Sequence, residues 1–283
     1  WEGFSSPALA DLDGDRVPEI VFATVDGIVA AVRATDRRQL WRRDMGNTAF
    51  QASPAVKQMR GSSVPEVVVA TMDGRVLMLD GRTGATLLTL RQGPPLNCAR
   101  GADCRPDGFF GTPALADVDG DRAPDIVASS YDHTIYAWTA SGRLIFRYFV
   151  EDTVWSSPVV RDIDKDGRAE VIVGGDIYDG NNLGVPKGGL VWVLSRRSGS
   201  WRPYPGYPRS IPGQTVWSTP AVGDLNGDGN LDIVVGTGNN FAVSAGSQRL
   251  YAFTARTAQN LPGWPIATTG QVSNGPAIVA VLK

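Results

Sequence analysis

Four times along this 283-residue chain, a proline-led apolar strand runs into an acidic turn and out into a β-branched strand. The copies are PALADLDGDRVPEIV (Pro7 to Val21), TPALADVDGDRAPDIV (Thr112 to Val127), SPVVRDIDKDGRAEVIV (Ser157 to Val173) and TPAVGDLNGDGNLDIVV (Thr219 to Val235). A fifth, SPAVKQMRGSSVPEVVV (Ser53 to Val69), keeps the strands but loses most of the acids, and a sixth begins at GPAIVAVLK (Gly275). The anchoring prolines (Pro7, Pro54, Pro113, Pro158, Pro220 and Pro276) are 47, 59, 45, 62 and 56 residues apart. A period of that size is one supersecondary unit per repeat and suits a four-stranded propeller blade.

Each full copy supplies the strands such a blade needs. The short first strand enters the acidic turn. The second follows it as EIVFA, EVVVA, DIVAS, EVIVG or DIVVG, β-branched runs suited to burial between neighbouring blades. Asp26-Gly27 and Asp73-Gly74 then signal hairpins, and the only histidine, His133, occupies the matching position in YDHTIYAW, where it reads as a turn residue. Third strands follow as IVAAV, VLMLD, TIYAW, LVWVL and LYAF. The variable fourth strands include LWRR, TLLTL and LIFRY. No segment holds a helical period, and Gly (33) and Pro (19) are abundant, as turns require. The expected fold is all-β: a β-propeller of four-stranded blades in a single domain, 1–283. Its repeats run over about 1–46, 47–108, 109–150, 151–211 and 212–268, with a partial one at 269–283. Five blades and the start of a sixth imply a ring of six or seven, completed by further residues or a second chain. A chain that begins with Trp is expected to be processed or a piece of something longer. Extra length is expected between blades, at 91–109, 176–189, 202–214 and 261–271. The prolines of the last two argue for loops rather than paired strands.

With the first Asp of each turn as position 1, positions 1, 3, 5 and 9 are Asp11, Asp13, Asp15 and Glu19; Asp117, Asp119, Asp121 and Asp125; Asp162, Asp164, Asp166 and Glu170; and Asp224, Asn226, Asp228 and Asp232. Position 7, which can offer a backbone carbonyl, is Val17, Ala123, Arg168 or Asn230. Alternate side chains of a tight loop converge on one point. A donor set of hard oxygens without His or Cys favours calcium over magnesium, giving about four ions. Without a cation the carboxylates would repel one another and some would hold their protons to higher pH. The fifth copy has Gln58, Arg60, Ser62 and Glu66 at these positions, so blade 2 is expected to fold without metal, with Arg60 pairing with Glu66.

These features resemble the FG-GAP or VCBS repeat family, whose fold relatives include the propeller head of integrin α chains. FFGTPALADVDGD (Phe109 to Asp121) and the four D-x-D/N-x-D-x-x-x-D/E loops carry the likeness. The resemblance implies that the loops join the first two strands of a blade and bind calcium structurally. The third strands also look like those of quinone-enzyme propellers.

A net charge of −2 with no long basic run excludes nucleic acid as the expected partner. No apolar stretch reaches the ~18 residues that a membrane span needs. Cys98 and Cys104, separated by five residues in NCARGADC, read as a local disulfide in an oxidising compartment, or else as two free thiols. No nucleophile elbow, phosphate loop or zinc spacing is present. Phe4, Phe110, Trp155 and Trp217 each lie three residues before the blade proline and are expected at one rim, as packing or as contacts for a sugar or peptide. Tyr204, Tyr207 and Trp264 are weaker contact candidates. The leading expectation is a non-enzymatic, calcium-stabilised propeller for recognition or adhesion outside the cytoplasm (secreted, cell-surface or periplasmic), with a protein or glycan ligand. The alternatives are a polysaccharide lyase, a quinone-dependent dehydrogenase and a structural assembly module.

Overall fold

The computed structural model describes residues 5–94, 96, 108–178, 183–238 and 248–272. Cys98, Cys104, Phe4 and the sixth copy lie outside the described residues. Within them the chain forms 21 β-strands and no helix.

The strands build five antiparallel meanders in which sheet order follows chain order. The unit Trp1–Phe149 holds three of them. These are β1 (Ala8–Ala10), β2 (Glu19–Ala23), β3 (Ile28–Arg33) and β4 (Gln39–Asp44); β5 (Ala55–Lys57), β6 (Glu66–Ala70), β7 (Arg75–Asp80) and β8 (Thr86–Arg91); and β9 (Ala114–Ala116), β10 (Asp125–Ser129), β11 (Thr134–Thr139) and β12 (Leu144–Phe149). The unit Val150–Lys283 holds two. These are β13 (Val159–Arg161), β14 (Glu170–Tyr178), β15 (Gly188–Arg197) and β16 (Ser200–Pro203), with β17 (Arg209–Pro212) added; and β18 (Ala221–Gly223), β19 (Asp232–Gly236), β20 (Arg249–Thr254) and β21 (Ile266–Ala267). Each sheet is one blade.

Strands β6, β10 and β19 are apolar on both faces because both faces are covered, whereas Ile20 and Phe22 on one face of β2 stay partly exposed. Along β6, Val67 and Val69 pack with Val21, Val29 and Trp41 of blade 1, while Val68 and Ala70 pack with Ile126, Tyr136 and Trp138 of blade 3. Strand alternation thus feeds two cores at once. In the second unit Ile172, Val191 and Val193 meet Ile233, Val235 and Phe253 in the same way. The β2–β3, β6–β7 and β10–β11 turns each need a left-handed residue. Gly27 (φ 83°) and Gly74 (φ 82°) supply it without a Cβ clash, and His133 (φ 64°) does so in blade 3, stacked on Phe149 at 5.9 Å.

Two expectations about the extra length are corrected. The segment 176–189 lies inside blade 4, not between blades: β14 and β15 run past the usual blade length, and after an irregularity between Gly174 and Ile177 the pairing resumes at Ile177↔Gly189. The Pro-rich segment 202–214 is not all loop, since β17 pairs with β15 from Val191↔Arg209 to Gly188↔Pro212. Of its four prolines, Pro203 ends β16, Pro205 and Pro208 lie between the strands, and Pro212 is the last residue of β17, positions where a missing N–H costs least. In 261–271, β21 likewise pairs with β20 through Leu250↔Ile266.

Candidate metal centres

The loop between the first two strands of a blade is wound the same way in blades 1, 3, 4 and 5. Positions 4 and 6 are both left-handed: Gly14 and Arg16, Gly120 and Arg122, Lys165 and Gly167, Gly227 and Gly229. Glycine takes one or both places, which explains why the sequence alternates between DGDR, DKDG and NGDG. The position-1 carboxylate accepts the N–H groups of both these residues. Asp11 takes Gly14 N at 2.7 Å and Arg16 N at 2.8 Å, and Asp117, Asp162 and Asp224 repeat the pair at 2.7–3.0 Å. Position 5 (Asp15, Asp121, Asp166, Asp228) accepts the N–H of position 7 (Val17, Ala123, Arg168, Asn230) at 2.7–2.8 Å.

Position 9 has a second role that its acidity alone did not reveal. One oxygen of each carboxylate accepts the N–H of position 2: Leu12 to Glu19 at 2.8 Å, Val118 to Asp125 at 2.9 Å, Ile163 to Glu170 at 3.0 Å, and Leu225 to Asp232 at 3.0 Å. Blade 2 does the same, Met59 to Glu66 at 2.8 Å. The visible signal is the apolar residue at position 2 in every copy. Leu12, Met59, Val118 and Ile163 are buried, so their amides need an internal acceptor.

The remaining oxygens converge. In blade 1, atoms of Asp11, Asp13 and Asp15 lie within 4.8 Å of one another. Blade 3 brings together Asp117, Asp119 and Asp125, and blade 4 Asp162, Asp164 and Glu170. Blade 5 carries the amide of Asn226 at position 3. Two position-9 oxygens, Glu19 Oε1 and Asp232 Oδ1, are buried without a hydrogen bond. An all-oxygen set at this spacing, with buried oxygens left over, fits a hard cation bound at about 2.3–2.6 Å, as calcium is.

Burial and mutual repulsion act on the carboxylates as expected. Burial pushes Asp125 up to about 6 and Glu170 up to about 7, with their Asp neighbours adding to the rise. Burial also raises Glu19 and Asp232. Asp13 moves the other way, chiefly because Arg33 hydrogen-bonds it. Arg33 Nη2 lies 2.5 Å from Asp13 and 3.7 Å from Asp15, and its Nε is 3.8 Å from Glu19. In blade 3, Arg143 reaches Asp119 at 2.8 Å from a far more exposed position.

The expected Arg60–Glu66 pair does not form. Ser62 Oγ lies 3.3 Å from the second oxygen of Glu66, and the Gln58 amide donates to the Ser62 carbonyl, so neutral groups close this loop. Arg60 instead lines a cleft of about 440 Å³ with Asp121, Asp125 and Arg143. The aromatic candidates divide by unit. Trp155 and Trp217 stack at 4.9 Å, whereas Phe110 stacks on Tyr131 at 5.7 Å. Tyr207 is a core residue whose hydroxyl donates to the Ala255 carbonyl, Tyr204 donates to Asp164 at 3.2 Å, and Trp264 packs on the Ala221–Leu261 cluster.

Five antiparallel meanders, four of them with the same acidic loop at the same corner, are the blades of a β-propeller. Residues 117–173 and 176–235 match the model of the FG-GAP-like repeat. No curated protein matches the sequence. Among solved structures, the chain is similar to the V. cholerae biofilm matrix protein Bap1 (18% identity, TM-score 0.62, covering 96% of this chain and 41% of that one). It is similar to the Bacillus licheniformis rhamnogalacturonan lyase PL11 (17%, 0.60, 95% and 51%) and to BamB from Moraxella catarrhalis (15%, 0.57, 93% and 62%). The chain therefore spans less than two thirds of each, and at these identities the likeness is one of fold. Among the described residues no helix is long and apolar enough to cross a membrane.

Proposed function

We propose that this propeller is a calcium-stabilised recognition module acting outside the cytoplasm, with a protein or glycan ligand and no catalytic role. The observation that carries the calcium reading is the convergence of three carboxylates, the position-9 acid among them, within 4.8 Å in each of blades 3 and 4. Positions 1, 3, 5 and 9 would hold the ion, with the carbonyl of position 7 as a further donor. Bound calcium would supply the positive charge that lets these acids stay ionised side by side. The chain's own residues do the rest: left-handed positions 4 and 6 wind the loop, and the position-9 acid ties it to the second strand. The resemblance to integrin-type repeats and the likeness to a biofilm matrix protein support recognition and an extracytoplasmic setting.

The test is thermal unfolding in EDTA and across micromolar to millimolar calcium. The melting temperature falls in EDTA and returns with calcium, and a flat response refutes structural calcium. A glycan array and a pull-down with and without calcium address the ligand. The likeness to a rhamnogalacturonan lyase favours a second reading, a polysaccharide lyase, because the cleft lined by Arg60, Arg143, Asp121 and Asp125 sets basic beside acidic groups. Release of unsaturated products from acidic polysaccharides would replace the first reading with this one.

A further inference from the structure

The residue paired across the sheet from the position-9 acid differs among blades. Opposite Glu19 stands Arg33, opposite Glu66 stands Asp80, opposite Asp125 stands Thr139, and opposite Asp232 stands Thr254. Continuing the Val171↔Leu194 register places Ser195 opposite Glu170. Blade 1 alone sets a cation there, and the strand aims it into the loop. Arg33 is 24% exposed and touches the loop at positions 3, 5 and 9, with Nη2 at 2.5 Å from Asp13 and 3.7 Å from Asp15, and Nε at 3.8 Å from Glu19. Asp36 stands 3.9 Å from Nη1. A second guanidinium, Arg82 of blade 2, donates to the Asp13 carbonyl at 3.0 Å.

The consequence shows in which acids converge. In blades 3 and 4 the position-9 carboxylate belongs to the converging trio. In blade 1 the trio is Asp11, Asp13 and Asp15, and Glu19 faces Arg33 instead. Arg143 of blade 3 is not equivalent, because it is 62% exposed and reaches one carboxylate from outside. A divalent ion entering blade 1 would have to displace a half-buried guanidinium from Asp13 or accept its repulsion at short range.

We propose that Arg33 is the resident cation of the blade 1 loop: it holds the acids that calcium holds in blades 3, 4 and 5, so the protein binds three ions rather than four. The proposal rests on the calcium reading for the other three loops. Calcium stoichiometry is measured by titration calorimetry on the wild type, Arg33→Gln and Arg33→Lys, and each protein is melted in EDTA. The wild type and Arg33→Lys bind three ions. Arg33→Gln binds a fourth, and in EDTA it melts about 2–4 °C below the wild type, a deficit that calcium removes. Four ions in the wild type, or three in Arg33→Gln with unchanged melting in EDTA, overturns the proposal. So does an Arg33→Gln protein that fails to fold even in calcium while Arg33→Lys folds, since the side chain would then act by packing. If no protein binds calcium but Arg33→Gln still melts low in EDTA, the calcium reading of the other loops falls and the cationic role of Arg33 stands.

Discussion

Replacing Glu170 with Gln should change the stability of this protein in opposite directions with and without calcium. Glu170 is buried, 2% exposed, and one of its oxygens accepts the Ile163 N–H at 3.0 Å. Its carboxyl is pushed from 4.5 to about 7 by burial and by Asp164, Asp166 and Asp162. The folded protein therefore keeps this proton to higher pH than the unfolded chain does. Metal-free stability falls as pH climbs from about 4.5 to about 7 and stays low above that. At 1.36 kcal/mol per pH unit, the ionised group costs the metal-free protein about 3 kcal/mol at pH 8. Glutamine keeps the acceptor for Ile163, points its NH₂ at the neighbouring Asp carboxylates and carries no charge. In EDTA at pH 8, Glu170→Gln should therefore melt about 6 °C higher than the wild type, taking about 2 °C per kcal/mol for a chain of this size. At pH 4, where Glu170 is protonated, the two should melt together. In saturating calcium at pH 8 the sign reverses, because the variant offers the ion one charge fewer. Differential scanning calorimetry at two pH values, in EDTA and in calcium, reads all four cases. If Glu170→Gln melts below the wild type in EDTA at both pH values, burial is not penalising the charge and the reasoning fails.

Other positions separate blade geometry from metal. Glu66→Ala removes the acceptor of the buried Met59 amide in the blade that lacks the acids of positions 1, 3 and 5, and should cost about 1–3 kcal/mol in urea unfolding, equally in EDTA and in calcium. A loss larger in calcium than in EDTA would mean that blade 2 binds metal through Glu66 after all. His133→Val places a β-branched residue at φ 64° and should destabilise by about 1–2 kcal/mol, whereas His133→Gly should stay close to the wild type. Equal losses from both would move the role of His133 from the turn to its stack on Phe149. Met78→Ala empties a fully buried site between blades 2 and 3 and should cost about 2–5 kcal/mol at any calcium concentration.

The fold was legible because each blade repeats the same local decisions. A proline-led short strand and an apolar β-branched run recur in register in all five blades, a left-handed turn residue follows in blades 1 to 3, and β6 shows the pattern serving two cores at once. The strands missed were those whose pairing depends on distant partners. Nothing local in RSIP marks β17, whose place is set by the extension of β15. The spacing of acids located the candidate ligands but said nothing of what faces them across the sheet. Arg33 lies fourteen residues beyond Glu19, and only the strand register brings the two together. The Arg60 expectation failed for a related reason. A nearby hydroxyl, Ser62, meets the Glu66 carboxylate without the cost of fixing a long side chain.

Position 9 explains why a propeller of this kind can lose a metal loop and keep the blade. Its carboxylate faces two ways, with one oxygen tied to the amide of position 2 and the other turned to the loop interior. The first bond joins the loop to the second strand and needs no ion, so it persists in blade 2 where positions 1, 3 and 5 have become Gln58, Arg60 and Ser62. The second oxygen creates the electrostatic problem, and the blades solve it in three ways. Blade 2 meets it with a hydroxyl and blade 1 with Arg33, while blades 3 and 4 leave a cluster of converging carboxylates open to a cation, and blade 5 replaces one acid by Asn226. The first oxygen makes the same bond in all five blades, with or without the other acids. On the calcium proposal, the surroundings of the second oxygen would set how many ions the protein carries, and so how far its stability answers to calcium.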